Sequence, residues 1–415
     1  MGGVGAFAFI CCLSAFVNIF SMIVNQTKNK FLFGIIILIT LTPLILVKYL
    51  GFIISNINSL FHLDVCSPDI IMPIGISFFT FEAVSLLYDV YAEKIDEKVS
   101  FIGVYAYLSF FPTVTSGPII RYQEFSRGFT GSIECINYND QIERIVIGLC
   151  KKVLIADKIA VLADYYFNGV KAGNCYSSAG LWIGSIAYTM QLYFDFSGYS
   201  DMAIGIGKLL GVDIGENFDK PYQASSISEF WRRWHISLSQ WFRDYVYIPL
   251  GGNKCKIARH IFNMLVVWLL TGIWHGADWS FVVWGMGYFL LLIAEKYTPL
   301  MKKIGTSWIG HIYTLFFVNL LWIPFRASDL KTTFDYISGM IGIGSNGMIE
   351  SNAVRFIPYL AVAVLLCFPL SKLFHRLEEK AWYNVLRGIC ILVLAGLAVC
   401  AVVNTSYTPY IYGNF

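Results

Sequence analysis

What this chain can fold into is limited first by its long, nearly uncharged apolar stretches, near 5–24, 31–54, 70–91, 179–194, 257–274, 279–295, 309–325, 354–371 and 384–403. In hydrocarbon no water satisfies backbone N–H and C=O groups, so a stretch of about 20 apolar residues must close its own hydrogen bonds as a spanning helix. Segments 101–120 and 142–167 are less uniform and are expected to span, re-enter or lie at the interface. The composition agrees, because 57% hydrophobic and only 14% charged residues is far from a soluble average. The expected fold is all-α: a polytopic membrane protein of roughly ten membrane-embedded helices. Residues 1–415 are expected to form one membrane-embedded domain.

A net charge of +3 gives neither a nucleic-acid footprint nor an acidic tail. The clusters Lys28/Lys30, Lys94/Lys98, Arg144 to Lys158, Arg232 to Arg259, Lys296 to Lys303 and Lys372 to Lys380 alternate with weakly charged connections. The positive-inside rule makes them cytoplasmic and puts both termini outside, with Arg326, Lys331 and Arg355 on the opposite side. Cys11, Cys150, Cys367, Cys390 and Cys400 lie in apolar stretches without metal-ligand spacing. They read as buried packing residues, so neither a disulfide framework nor a metal site is expected. The opening Met1-Gly2-Gly3-Val4-Gly5-Ala6 lacks a basic region and a cleavage site, which makes the first apolar stretch a retained span. It also lacks the hydroxyl residue that myristoylation needs.

An ionisable group at membrane depth is costly and is by default a functional candidate. His275, in Trp274-His275-Gly276-Ala277-Asp278, joins two apolar stretches and is the first such candidate. Polar and breaking residues crowd 190–280, among them Asp195, Ser197, Gly198, Asp201, Asn217, Asp219 and Pro221. They suggest a cavity built from broken or re-entrant elements, with Asp195 and Asp201 flanking a break and Trp274 and Asp278 beside the histidine. Ser228 is read as the cap of a helix whose period puts Trp231, His235, Leu238 and Phe242 on one face, beside a stripe of Arg232, Ile236, Ser239 and Arg243. Such a helix fits the cytoplasmic interface. Each reading has a plain counterpart. A histidine on an aromatic face packs, Asp195 and Asp201 cap helix ends, and Arg232 and Arg233 anchor the inside surface.

Several strings carry a family resemblance: Tyr193-Phe194-Asp195-Phe196-Ser197-Gly198-Tyr199-Ser200-Asp201, Phe230-Trp231-Arg232-Arg233-Trp234-His235-Ile236-Ser237-Leu238-Ser239, Tyr247-Ile248-Pro249-Leu250-Gly251-Gly252-Asn253 and Trp274-His275-Gly276-Ala277. Pro73 to Phe81, Ser116 to Tyr122 and Tyr407 to Tyr412 add to it. Together they resemble the membrane-bound O-acyltransferase family, and within it the members that acetylate alginate-type polysaccharides. The likeness covers most of the chain, with a motif core at about 70–295, and the start looks shortened relative to such members. The resemblance implies helices arranged around a central tunnel or funnel. It also implies His275 as the catalytic histidine and His235 as a second functional one.

A neutral imidazole is the usual base for drawing a proton from a sugar hydroxyl as it attacks a thioester, and burial favours that neutral form. The expected enzyme is an O-acetyltransferase in a bacterial cytoplasmic membrane, with no bound cofactor. Its donor is a cytoplasmic thioester such as acetyl-CoA, whose phosphates Arg232 and Arg233 would steer. The resemblance implies that the acceptor is an extracytoplasmic polysaccharide or a partner protein of SGNH-hydrolase type. Rival readings are D-alanyl transfer to teichoic acid from a carrier protein, a transporter using Asp195, Asp201 and His275, and a non-catalytic scaffold. The lack of a visible repeat weighs against the transporter.

Overall fold

The computed structural model describes residues 4–404 apart from 69, 71, 96–97, 131–135, 306, 328, 346, 348–349 and 369–379. The Tyr407–Tyr412 motif and much of the Lys372–Lys380 cluster lie outside the described residues. Regular structure among them is helical, with one isolated antiparallel bridge, Phe218 to Trp234. The helices are α1 (Val4–Thr27), α2 (Lys30–Leu44), α3 (Leu50–Phe61), α4 (Ile76–Tyr91), α5 (Phe101–Leu108) and α6 (Tyr122–Thr130). There follow α7 (Tyr138–Cys150), α8 (Asp157–Lys171), α9 (Ser178–Leu209), α10 (Ile227–Arg233), α11 (Ile236–Phe242) and α12 (Ile257–His275). The last are α13 (Trp279–Tyr297), α14 (Pro299–Ile304), α15 (Trp308–Ala327), α16 (Leu330–Met340), α17 (Ser351–Leu366) and α18 (Ala381–Asn404).

By length and composition, five runs among the described residues are apolar enough to cross a membrane: 7–27, 30–61, 257–275, 308–327 and 381–404. The second is continuous because a π-turn, Ile45–Tyr49, joins α2 to α3 two residues beyond Pro43. A second π-turn, Lys151–Ala156, joins α7 to α8, so 142–167 is helical throughout. The 101–120 segment is helical only as far as Leu108. Exposure on α18 is that of a lipid-bathed helix. Cys390 and Cys400 lie on its exposed surface, so of the cysteines read as buried packing residues only Cys150 is fully buried.

The expected break around Asp195 and Asp201 is absent. Both sit inside α9, which runs unbroken for 32 residues. Their charges are neutralised across the helix pair: Lys152 bridges Asp195 (2.7 Å) and Asp157 (2.8 Å), while Arg144 (3.0 Å) and Lys151 (2.6 Å) hold Asp201. Gly198 and Gly148 let α9 and α7 touch backbone to backbone, since a Cβ on either would strike the other's carbonyl. Small and acidic residues here serve helix contact rather than a chain break.

The irregular stretch comes afterwards, between Leu209 and α12. The helix read as starting after Ser228 is capped instead by Ser226, which accepts from Glu229 N (3.1 Å). Ser228 gives its amide and hydroxyl to the Glu295 carboxylate (2.9 and 2.7 Å), and Ile227 N adds a third bond (2.6 Å). The periodic pattern over Trp231, His235, Leu238 and Phe242 does not form one helix. Trp234 is extended and His235 is left-handed, splitting α10 from α11. The cause is tertiary: Asp219 N bonds Arg233 O (2.9 Å) and Ile236 N bonds Asn217 O (3.0 Å), drawing this turn into a short antiparallel pairing.

Two large apolar clusters flank this centre. One joins α8, α9, α10, α12, α13, α15 and α16; the other joins α1, α2, α4, α5, α6 and the end of α9. A smaller cluster of Phe78, Phe81, Leu238, Trp241 and Trp274 ties α4 to α11 and α12 between them.

Candidate active site

His275 is the last residue of α12, is 1% exposed, and is surrounded by protein rather than lipid. Its ring meets Trp274 (4.8 Å), Trp284 (4.8 Å) and Phe325 (5.0 Å) at steep interplanar angles, the edge-to-face geometry that aromatic quadrupoles favour. Gly276 is required next to it, because the Phe281 ring fills the space a Cβ would need. The crossing of α12 with α13 is equally tight: a Cβ on Gly272 or Gly285 would meet the carbonyl of Phe281 or Trp268 at 2.5 Å.

Last-turn carbonyls of a helix lack intrahelical partners. In α12 two of them are taken by the π-turn that ends at Tyr49. Lys48 Nζ donates to Trp274 O (2.5 Å) and to Ser77 Oγ (3.3 Å), and Tyr49 OH donates to Ile273 O (2.9 Å). A lysine in a spanning helix costs about 2.5–3.5 kcal/mol on insertion scales, so its placement on a helix C-terminus offsets that cost with a charge-assisted bond.

His235 is fully buried and held by polar groups. Its Nδ1 lies 3.2 Å from Asn217 Oδ1, which also accepts from Ser237 N (3.2 Å) and Ser237 Oγ (2.9 Å). Asn217 Nδ2 in turn donates to Ser200 Oγ on α9 (3.2 Å). Because Asn217 Oδ1 is an acceptor, this contact puts the proton on Nδ1 and leaves Nε2 as the basic nitrogen. The Phe196 ring meets the imidazole edge-on at 4.7 Å.

The two histidines share one wall. The Trp274 ring is 6.3 Å from His235 and 4.8 Å from His275. Two cavities lie near them. A polar cavity of about 900 Å³, lined by Arg121, Arg127, Lys208 and Arg243, reaches Ser237, whose hydroxyl is 3.5 Å from His235 Nδ1. A narrower cavity of about 320 Å³ runs from Arg232 and Arg243 to Trp231 and Trp268. Trp231 lies 5.7 Å from the Trp284 ring that touches His275. A third cavity of about 280 Å³ shares Ser228, Ser239, Arg243 and Trp268 with the second and adds His260 and Lys296. Its mouth is cationic and its depth aromatic. The buried indole N–H groups of Trp231, Trp274 and Trp284 meet no acceptor among the described residues.

The remaining sequence candidates fall in different places. Arg232 lines the narrower cavity, whereas Arg233 pairs with Glu229 (2.7 Å) on its own helix. Asp201 borders a fourth cavity of about 200 Å³ with Arg144, Lys151 and Asn217, while Asp195 is committed to Lys152. Asp278 caps α13 through Ser280 N (2.8 Å). Sequence reasoning missed Lys48, Asn217 as the partner of His235, and Arg243 at the meeting of three cavities. For Lys48 the signal was present, a lone charge inside an apolar stretch. Among the described residues no cluster of side chains could hold a metal ion.

One histidine ends a membrane-type helix, a second lies on a buried turn beside it, and cavities bearing arginines lie nearby. Residues 59–331 match the model of the membrane-bound O-acyltransferase family, and the chain belongs to that family of acyltransferases. It is 33% identical over 400 residues to a probable alginate O-acetylase of Pseudomonas putida, covering 89% of this chain and 81% of the relative. To a peptidoglycan O-acetyltransferase of Helicobacter pylori it is 31% identical over 423 residues, covering 89% and 79%. To a teichoic acid D-alanyltransferase of Bacillus subtilis it is 30% identical over 264 residues, covering 59% and 66%. In further alginate O-acetylases the matched part is under two thirds of their length, 66%, 65% and 64%.

Proposed function

We propose that this protein transfers an acetyl group from a cytoplasmic thioester, such as acetyl-CoA, to an extracytoplasmic polysaccharide hydroxyl or to a partner protein that completes the transfer. The site belongs to a multi-pass protein that we assign to a bacterial cytoplasmic membrane. The observation that carries the reading is the placement of His275, buried in an aromatic box at the end of a spanning helix and sharing Trp274 with His235. In this reading a neutral His275 accepts the hydroxyl proton as the oxygen attacks the thioester carbonyl. The tetrahedral intermediate then collapses, and the departing thiolate takes the proton back from the imidazolium. The unpaired indole N–H groups would meet the oxygens of the bound groups, and Arg232 and Arg243 at the cavity mouth suit donor phosphates.

Acetyl transfer is favoured over D-alanyl transfer because the acetyltransferase likeness extends over 89% of the chain and the D-alanyltransferase likeness over 59%. The test is mass spectrometry of cell-surface glycans from a deletion strain complemented with wild type or His275→Ala, at matched membrane levels. Loss of an acetyl ester with the variant supports the reading. Persisting acetylation overturns His275 as base, and loss of D-alanyl esters instead overturns the acyl group.

A further inference from the structure

The last turn of α12 ends at the residue that matters, and what holds that turn comes from a distant part of the chain. Gly276 is extended (φ −170°), which takes the following amides out of the helical ladder. Two consecutive side chains of the π-turn replace them, Lys48 on the Trp274 carbonyl and Tyr49 on the Ile273 carbonyl. The Lys48 ammonium also bonds Ser77 on α4 and lies 5.9 Å from the Trp274 ring centre. No carboxylate pairs with it among the described residues; its acceptors are a helix-end carbonyl and a hydroxyl. An anchoring lysine would turn outward to the membrane surface. This one is aimed inward, at the peptide bond that carries His275.

We propose that Lys48, assisted by Tyr49, is the positioning residue that fixes where the His275 imidazole sits during acyl transfer. The inference rests on the reading of His275 as the base. Lys48 and Tyr49 hold Trp274 and Ile273 by the backbone, and so set the path of the chain into the ring that follows. The π-turn makes this possible by widening one turn of a long helix so that neighbouring side chains reach neighbouring carbonyls.

The test uses the full chain in a host lacking its own copy, with Lys48→Met, Lys48→Arg, Tyr49→Phe and His275→Ala at matched membrane levels. Esterified acyl groups on the cell envelope are released by mild base and measured. Lys48→Met is expected to lower them roughly 10- to 100-fold, the scale on which a misplaced group loses rate. Lys48→Arg restores most of the product because the donor is kept, and Tyr49→Phe loses a few-fold. Nitrogen-15 spectra of labelled histidine in nanodiscs supply a readout that mere stability would not move. The His275 signals shift in Lys48→Met, while those of the exposed His62 stay in place. Wild-type product and an unshifted His275 signal in Lys48→Met overturn the proposal. If Lys48→Met does not fold, Tyr49→Phe decides, and full product with unshifted signals there overturns it too. An active His275→Ala would instead sink the underlying reading, so the two failures are distinct.

Discussion

The two buried histidines sit among different neighbours. Around His235 the fixing is done by side chains: Asn217 binds the ring, Ser237 binds Asn217, and Ser200 on α9 completes the set. Around His275 it is done by aromatic edges and by the backbone, with Trp284 and Phe325 against the ring and Lys48 and Tyr49 on the carbonyls before it. A hydrogen bond to a ring nitrogen fixes a tautomer, whereas an aromatic box fixes a location and excludes water. The contrast puts an amide and hydroxyls beside one ring and aromatic edges beside the other.

The largest effect should separate the two rings themselves. His275→Ala is expected to lower envelope acylation by about 10²- to 10⁴-fold, the contribution of a general base, with His235→Ala falling short of it. Equal losses measured by mass spectrometry would break the contrast. Asn217→Ala comes next: leaving buried partners of Asn217 unsatisfied costs about 1–3 kcal/mol, read as a lower thermal midpoint and roughly tenfold less product. The His275 signals in histidine-labelled spectra should not move in that variant. Trp284→Phe keeps an aromatic edge on His275 and should cost about 0.5–1.5 kcal/mol, a few-fold in product, while leaving the His235 signals in place.

The smallest effect tests the frame of α10. Partial burial raises the Glu229 carboxyl, but hydrogen bonds from Ser225 and the pair with Arg233 outweigh it and hold it below the usual carboxylate range. A carboxyl lowered by folding stabilises above its unfolded value and loses that contribution as pH falls through its folded one. Between pH 6 and pH 3 the thermal midpoint of wild type should therefore fall further than that of Glu229→Gln.

The membrane class and the family were legible in the sequence, because hydropathy follows from composition and the motif strings are contiguous, and five of the nine apolar stretches return among the described residues as runs able to cross a membrane. What was not legible has physical reasons. Lys48 is visible as a lone charge inside the 30–61 run, but its role is not, because the carbonyl it holds lies 226 positions away. Asp195 and Asp201 looked like a break because their partners Lys152, Lys151 and Arg144 stand on another helix. The split between α10 and α11 was invisible for the opposite reason. The apolar period runs straight through it, and only pairing with 217–219 overrides it.

His235 adopts φ 45°, a left-handed conformation unusual for a residue with a side chain. That costs of order 1–3 kcal/mol, less for histidine than for a branched residue, and glycine would adopt it without strain. Backbone preference and side-chain contacts therefore pull against each other at one position. Glycine at this position would relieve the backbone while removing the ring that Asn217 and Phe196 meet, so one substitution sets the two contributions against each other.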